Sequence, residues 1–394
     1  MEKRLKVNGE VEEKTLDQMK KVMEQADYGV LCADNHLGYG HPIGGVAAYK
    51  DRISISGVGF DIACGNMAVK LPLKASEMSH DRWKELGREI NRTISFGVGR
   101  VNEMPVEAEF LDTDANWENE ALAGLKDLAA AQLGTVGSGN HYVDVFRDED
   151  DFVWIGVHFG SRGLGHKATT HFLKKLGAKD AMDADPCIVD MNSDVGQAYY
   201  EAMTLGGKYA YAGRDWVCKT VSKIIQGGDH WIDEVHNHHN FAWIEEHDGD
   251  KYFVVRKGST PAFPDQRSFI GSTMADQSVI VRGLDTPSAK ENLYSTVHGA
   301  GRVLSRTQAA GKFKGWGRNR VRVAPGLIDE DAMREEMKAN RIHLFGSGAD
   351  EAPGCYKKLD EVLAFHSDSI AVEHRLTPII VCMAGSDTRD PYKD

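Results

Sequence analysis

No stretch of this 394-residue chain approaches the ~20 consecutive apolar residues that span a bilayer. Its opening run, Met-Glu-Lys-Arg-Leu-Lys-Val-Asn-Gly, lacks the apolar core and cleavage site of a secretory leader. The six cysteines (Cys32, Cys64, Cys187, Cys218, Cys355, Cys382) are scattered without paired spacing. In a chain of this length that argues against a disulfide framework and for a reducing compartment, so a cytoplasmic protein without membrane contact is expected. Neither Gly-Lys pair, at 207–208 and 311–312, is followed by Ser or Thr, which excludes a P-loop. Gly38-Tyr-Gly40-His-Pro-Ile-Gly44 is one residue too long for a dinucleotide fingerprint. There is no Pro/Ser linker, low-complexity run or repeat, so residues 1–394 read as one unit with a short polar tail at 385–394.

Net charge is -12 with a pI near 5.7, which disfavours nucleic-acid binding by bulk charge. The basic residues are nonetheless uneven. Lys312, Lys314, Arg318, Arg320 and Arg322 fall within eleven residues around Phe313 and Trp316, and Arg256-Lys257 closes another segment. This is either a local basic track or a solvated loop.

What the chain does have is glycine beside metal-type ligands. Gly57-Val-Gly-Phe-Asp61-Ile-Ala-Cys64-Gly-Asn66 sets a carboxylate and a thiol three residues apart in a run of glycine and apolar residues. Glycine at that density permits sharp turns and close backbone approach at an entropic cost. Four more clusters share the look: Gly137-Ser-Gly-Asn140-His141, Val157-His158-Phe-Gly-Ser-Arg162-Gly, His236-Asn-His-His239-Asn240, and Ser295-Thr-Val-His298-Gly-Ala-Gly-Arg302. One such histidine is ordinary core or surface. Five clusters with little bulk around them are expected to converge on one site.

Alternating apolar stretches at 28–33, 44–56 and 64–72 predict strands, as do 143–145, 153–158, 252–256, 278–282 and a buried closing strand from Pro378. Helices are expected over 80–94, 116–133, 164–176, 302–310, 329–340 and 357–365. A long helical region over 194–225 is expected to break near Gly206-Gly207. The irregular alternation points to an α+β fold of mixed sheets flanked by helices, with the site built from strand ends and loops.

Asp61, Cys64, His141, His158 and His239 supply one carboxylate, one thiolate and three imidazoles. A closed structural zinc site needs four ligands. Five, spread over about 180 residues, suit two ions sharing Cys64, an arrangement able to stabilise attacking and leaving oxygens in phosphoryl displacement. The thiol points to zinc and the carboxylate admits manganese. His298 precedes Gly-Ala-Gly and what reads as a helix start, where an anion would be welcome. It can serve there as ligand, general base or nucleophile on phosphorus. Arg302 and Arg162 offer planar forks suited to phosphate.

These motifs resemble the RtcB family, the tRNA-splicing and RNA-repair ligases that join ends using GTP. The likeness runs through Asp34-Asn-His36-Leu-Gly, 57–65, 137–141, 158–165, His239-Asn240, Arg256-Lys-Gly-Ser, 298–302 and Asp350-Glu-Ala-Pro-Gly-Cys-Tyr356-Lys-Lys, in family order. The resemblance implies one large domain around a deep central pocket with two Mn(II) ions. Asp61, Cys64 and His141 would hold one ion, and Cys64, His158 and His239 the other. His298 would take GMP from GTP and pass it to an RNA 3′-phosphate, and a 5′-hydroxyl would then displace GMP. A 2′,3′-cyclic phosphate would first be opened in the same site. Asn140, Asp144, Thr273, Ser278, Ala300 and Tyr356 would surround the nucleotide. An archease-type activator is a further implied partner.

The chain departs from the family pattern around the guanosine. The Gly-Ser-Met-Gly loop reads Ser272-Thr-Met-Ala275, the lysine before the final glycine is Ala384, the acid after Asn-His is Asp144 rather than Glu, and Phe159 replaces a small polar residue. Looser discrimination for guanine is the expectation.

Overall fold

The computed structural model describes residues 4–179, 181–315 and 321–386. Trp316, Arg318 and Arg320 of the basic track, and residues 387–394 of the tail, lie outside the described residues. The architecture is mixed α/β. The larger sheet has the order Arg267–Ile270, Ser278–Gly283, Ile370–Gly385, Tyr142–Arg147, Phe152–Phe159, Gly65–Lys74 and Asp233–His238, with His343–Ser347 added in parallel on Ile370–Gly385. A five-stranded sheet runs Arg4–Val7, Tyr28–His36, Ile43–Tyr49, Asp250–Lys257, Asn240–His247. Pairing is antiparallel apart from Arg4–Val7 on Tyr28–His36 and the His343–Ser347 strand.

The chain passes from the larger sheet to the smaller at His239, between Asp233–His238 and Asn240–His247. That corner is pinned against the loop before Gly65–Lys74. The Cys64 carbonyl accepts from His239 N at 2.8 Å, and Asn240 O accepts from Ala63 N at 2.7 Å. Gly65 is required here, because a Cβ would stand 2.1 Å from Asn237 O.

The helix Asp194–Gln226 is continuous over 33 residues, roughly 50 Å. Ser193 caps its start by accepting from Gly196 N, and Gly227, at φ 79°, ends it. The expected break at Gly206-Gly207 does not occur. A Cβ on either glycine would sit 3.0 Å from Ile62 or Phe241, so the pair is there for close packing, not flexibility. Tyr199, Met203 and Tyr209 pack in one core with Tyr49 and Val255 of the smaller sheet. Val217, Val221 and Ile225 pack in another with Val69, Ile155 and Val157 of the larger. One helix thus serves both cores.

Two other helices fall short of expectation. The 116–133 segment is helical only at Lys126–Gln132, after a short turn at Ala115–Glu118, because Gly124 takes φ 73° between them. The helix expected from Arg302 is Arg306–Ala310, capped by Ser305 accepting from Gln308 N. His298 therefore does not sit at a helix start. Strand 44–56 divides into Ile43–Tyr49 and Arg52–Ser54, then turns into the short helix Ile55–Val58.

Candidate metal centre and its neighbouring histidine

Register lines up the expected ligands at the ends of adjacent strands. Gly65 faces both Phe159 and His238, and His158 faces Tyr142, so Cys64, His141, His158 and His239 meet at one edge. They line a cavity of about 340 Å3 together with Asp61. Cys64 Sγ stands 3.3 Å from His158 Nε2 and 3.5 Å from His141 Nε2. His158 Nε2 and His239 Nε2 face each other at 3.3 Å, and Asp61 Oδ2 is 3.0 Å from His141 Nε2. Asn140 O accepts from His158 Nδ1 at 3.0 Å, which turns the other nitrogen toward the thiol.

This donor set fits a cation. The ligand atoms of Cys64, His141 and His158 all lie within 4.8 Å of one another. Lone pairs of nitrogen and sulfur gathered so closely repel unless a proton or a metal ion lies between them. Burial holds the imidazoles of His158 and His239 well below their ordinary range, so they are neutral and able to ligate. Burial, then the Asp61 charge, pushes the Cys64 thiol up. Burial would also raise Asp61, but its contacts with His141 outweigh that and hold it at about 2. A thiolate beside a carboxylate needs a cation to exist there.

His298 stands apart from this group, its ring centroid 4.9 Å from that of His239. Its Nδ1 lies 2.6 Å from Asp34 Oδ2, which also accepts from His298 N at 2.9 Å. Asp34 is fully buried on the Tyr28–His36 strand. Burial would raise its carboxyl, but the His298 contacts prevail and lower it. One ring nitrogen is thereby committed to the carboxylate and Nε2 remains for chemistry. Sequence reasoning left Asp34 without a role; it stands beside Asn35 and His36 at the end of the Tyr28–His36 strand.

The remaining expected residues divide. Asn140, Asp144, Thr273, Ala300, Arg302 and Tyr356 line the cavity. Asp144 is buried, its Oδ1 without a partner, and burial pushes its carboxyl well up. Arg302 donates to Glu351 at 2.9 Å, Tyr356 Oη at 2.8 Å and Asp350 O at 2.7 Å, and Arg306 donates to the other Glu351 oxygen at 2.9 Å. Ser278 lies under the wall, accepting from Ser272 N. Arg162, at φ 56°, is not among the lining residues and donates to Gly97 O and Thr135 Oγ1. Lys257, Glu351 and Arg306 line the cavity and were not singled out individually.

A mixed scaffold that brings thiol, imidazoles and carboxylate to one cavity, beside a separately held histidine, defines a class of protein built around a cysteine–histidine donor cluster. A family model described as tRNA-splicing ligase RtcB matches residues 16–384. The tRNA-splicing ligase RtcB of Thermococcus kodakarensis is 30% identical over 465 residues, covering 94% of this chain and 93% of its own. The RNA-splicing ligase RtcB of Escherichia coli K12 is 30% identical, covering 90% and 89%. The tRNA-splicing ligase RtcB of Archaeoglobus fulgidus is 31% identical, covering 85% and 82%. This chain belongs to the RtcB family.

Proposed function

We propose that the chain is an RNA ligase that joins a 3′-phosphate or 2′,3′-cyclic phosphate end to a 5′-hydroxyl end, using GTP, two Mn(II) ions and a guanylylated His298. The observation that carries this reading is the Asp34-held imidazole of His298 beside the donor cluster. A base that only shuttled protons would not need a metal-type centre, and a bare metal site would not need a second imidazole locked by a buried carboxylate. We read residues 1–394 as one such domain, acting in the cytoplasm; among the described residues no helix is long and apolar enough to cross a membrane. An archease-type activator belongs to the same reading.

Asp61, Cys64 and His141 would hold one ion and Cys64, His158 and His239 the other; bound there, the pair supplies charge stabilisation for phosphate oxygens. Asp34 holds the His298 tautomer that leaves Nε2 with its lone pair. His298 Nε2 attacks the α-phosphorus of GTP, forming an N–P bond as pyrophosphate leaves. An oxygen of the RNA 3′-phosphate then takes the guanylate and frees the imidazole. Attack by the 5′-hydroxyl on the activated end expels GMP and closes the phosphodiester. Asn140, Ala300 and Thr273 flank the nucleotide in this reading, Asp144 and Tyr356 meet the guanosine, Arg302 steadies phosphates, and Arg162, outside the lining, contributes through its charge near Asp61. Ser278 acts by holding the Ser272 loop.

Labelled GTP with Mn(II), followed by denaturing electrophoresis, tests the mechanism. The expected result is an adduct stable in alkali and labile in acid, absent from His298→Ala. Sealing of RNA that already carries a 3′-guanylate should survive in that variant. An adduct on His298→Ala would remove His298 as nucleophile, and opening of cyclic ends without any adduct would reduce the protein to a phosphoesterase. ATP should label appreciably, because Ala384 offers no polar contact to guanine; strict GTP dependence would refute that part.

A further inference from the structure

The catalytic chemistry leaves unused a two-stranded ribbon that begins one short helix away from the cavity. Arg306 lines the cavity and opens the helix Arg306–Ala310; Gly311, at φ 87°, then turns the chain into Lys312–Lys314, which pairs antiparallel with Val321–Ala324. The base of the ribbon is tied down. Leu327 N donates to Gln308 O and Ile328 N to Ala309 O, and a Cβ on Gly311 would stand 2.3 Å from Ala324 O. Beyond that base the two strands form a separate two-stranded sheet.

We propose that this ribbon is a docking surface for the single RNA strand that enters the cavity, a proposal that rests on the RNA-ligase reading. Charge is the first argument. From Asn292 to Ile328 the sequence holds no acidic residue, yet it carries Arg302, Arg306, Lys312, Lys314, Arg318, Arg320 and Arg322, on a chain whose net charge is -12. Lys312, Lys314 and Arg322 are exposed, and no carboxylate pairs with them among the described residues. Exposed cations on an acidic protein suit a polyanion.

The pattern along the strands is the second argument. Phe313 and Arg322 are cross-strand partners, with the guanidinium 5.3 Å from the ring centroid. Successive side chains take opposite faces, so Phe313 and Arg322 share one face of this narrow ribbon while Lys312 and Lys314 border it from the other. Single-strand binders combine these two elements, a basic path for the backbone and planar groups for bases to stack on. Val321 and Val323, 61% and 51% exposed, add apolar surface on which bases can rest. Continuity is the third argument. The helix Arg306–Ala310 joins the cavity wall directly to the ribbon, so a strand leaving the ribbon reaches the site over one short helix, at a wall where Glu351 pairs with Arg302 and Arg306.

The test uses the full chain and fluorescently labelled RNAs bearing a 3′-phosphate, one of about four nucleotides and one of about twelve, within the range of single-strand site sizes. In Lys312→Ala/Lys314→Ala/Arg322→Ala the longer RNA should bind on the order of tenfold more weakly at moderate salt. The slope of log K against log salt should fall by about 2, as expected for three lost contacts to a single strand. Affinity for the short RNA and formation of the GTP-derived adduct should match the parent protein. Lys312→Arg/Lys314→Arg should restore the slope, and Phe313→Ala should weaken the longer RNA without changing it. Equal affinity and slope for the triple variant and the parent would overturn the ribbon while leaving the ligase reading intact. A parent protein that binds neither RNA would overturn both.

Discussion

An imidazole attacks phosphorus only from a nitrogen that carries a lone pair, and on a neutral ring the other nitrogen must keep the proton. Asp34 fixes which is which by binding Nδ1 of His298 at 2.6 Å. Asp34→Asn keeps the shape and loses the charge, so it permits the wrong tautomer. Adduct formation with labelled GTP should fall by on the order of 10²–10⁴-fold, as in other histidines oriented by a carboxylate, while bound metal stays unchanged. Unchanged labelling kinetics would mean that Asp34 merely packs. Gly160 carries a parallel argument for the ions. A Cβ there would stand 2.3 Å from Asp61 Oδ1, a side-chain end that can swing aside. Gly160→Ala should therefore spare the fold, with a stability change under ~1 kcal/mol in urea titration, yet reduce bound metal by about one ion. Retention of both ions would count against Asp61 as a ligand. At this scale the convergence was legible: Asp61, Cys64, His141 and His158 sit in glycine-containing motifs, His239 in a run of histidine and asparagine, and all five line one cavity. Asp34 was not, because its partner lies 264 positions away and no local pattern announces that pairing.

Element boundaries followed the sequence where caps are local and failed where packing decides. His80–Thr93 and Glu330–Ala339 start within one residue of expectation, capped by Ser79 and Asp329. The helix through Gly206-Gly207 was misread because glycine is costly in a helix by about 1 kcal/mol, and only the neighbouring Ile62 and Phe241 explain why that cost is accepted. Strand pairing likewise hides a buried ion pair. Glu245 on Asn240–His247 receives both terminal nitrogens of Arg256, at 2.5 and 3.1 Å, and His247 at 2.9 Å. Arg256 is fully buried, so Glu245→Gln strands its charge and should cost about 3–5 kcal/mol at neutral pH. The pH dependence has a definite sign. Burial would raise the Glu245 carboxyl, but the Arg256 charge and hydrogen bonds outweigh it and lower it. A carboxyl depressed on folding contributes stability above its unfolded value of ~4.3 and loses it as pH falls through the folded value. Urea midpoints of parent and variant should therefore differ most at neutral pH and converge in acid below ~4. A gap that stays constant with pH would show that lost packing, not charge, sets the cost.

The donor cluster draws its members from the larger sheet and from the corner between the two sheets. Cys64 precedes the Gly65–Lys74 strand, His158 sits on its neighbour, and His239 is the corner where the chain leaves the larger sheet for the smaller. An ion bound there ties both sheets to each other in the folded state and has no comparable site in the unfolded chain. Binding should thus raise stability by mass action, about 2.7 kcal/mol when free metal is a hundredfold above the dissociation constant. Chelation should lower the unfolding midpoint of the whole chain as a single transition, since Asp194–Gln226 couples the two cores. If two ions bind as proposed, the variants separate them. His239→Ala removes a donor from one and should keep part of the Mn(II)-dependent increment together with about one bound ion. Cys64→Ala removes the sulfur placed 3.3 and 3.5 Å from two different imidazoles, so it should lose both ions and the entire increment. Its metal-free stability should stay near that of the metal-free parent, because a buried neutral thiol contributes little beyond its volume. Calorimetry with and without Mn(II), paired with metal analysis, measures both quantities. If Cys64→Ala retains two ions, or still gains stability from Mn(II) as the parent does, the shared-sulfur arrangement is wrong and the two sheets are bridged by another group.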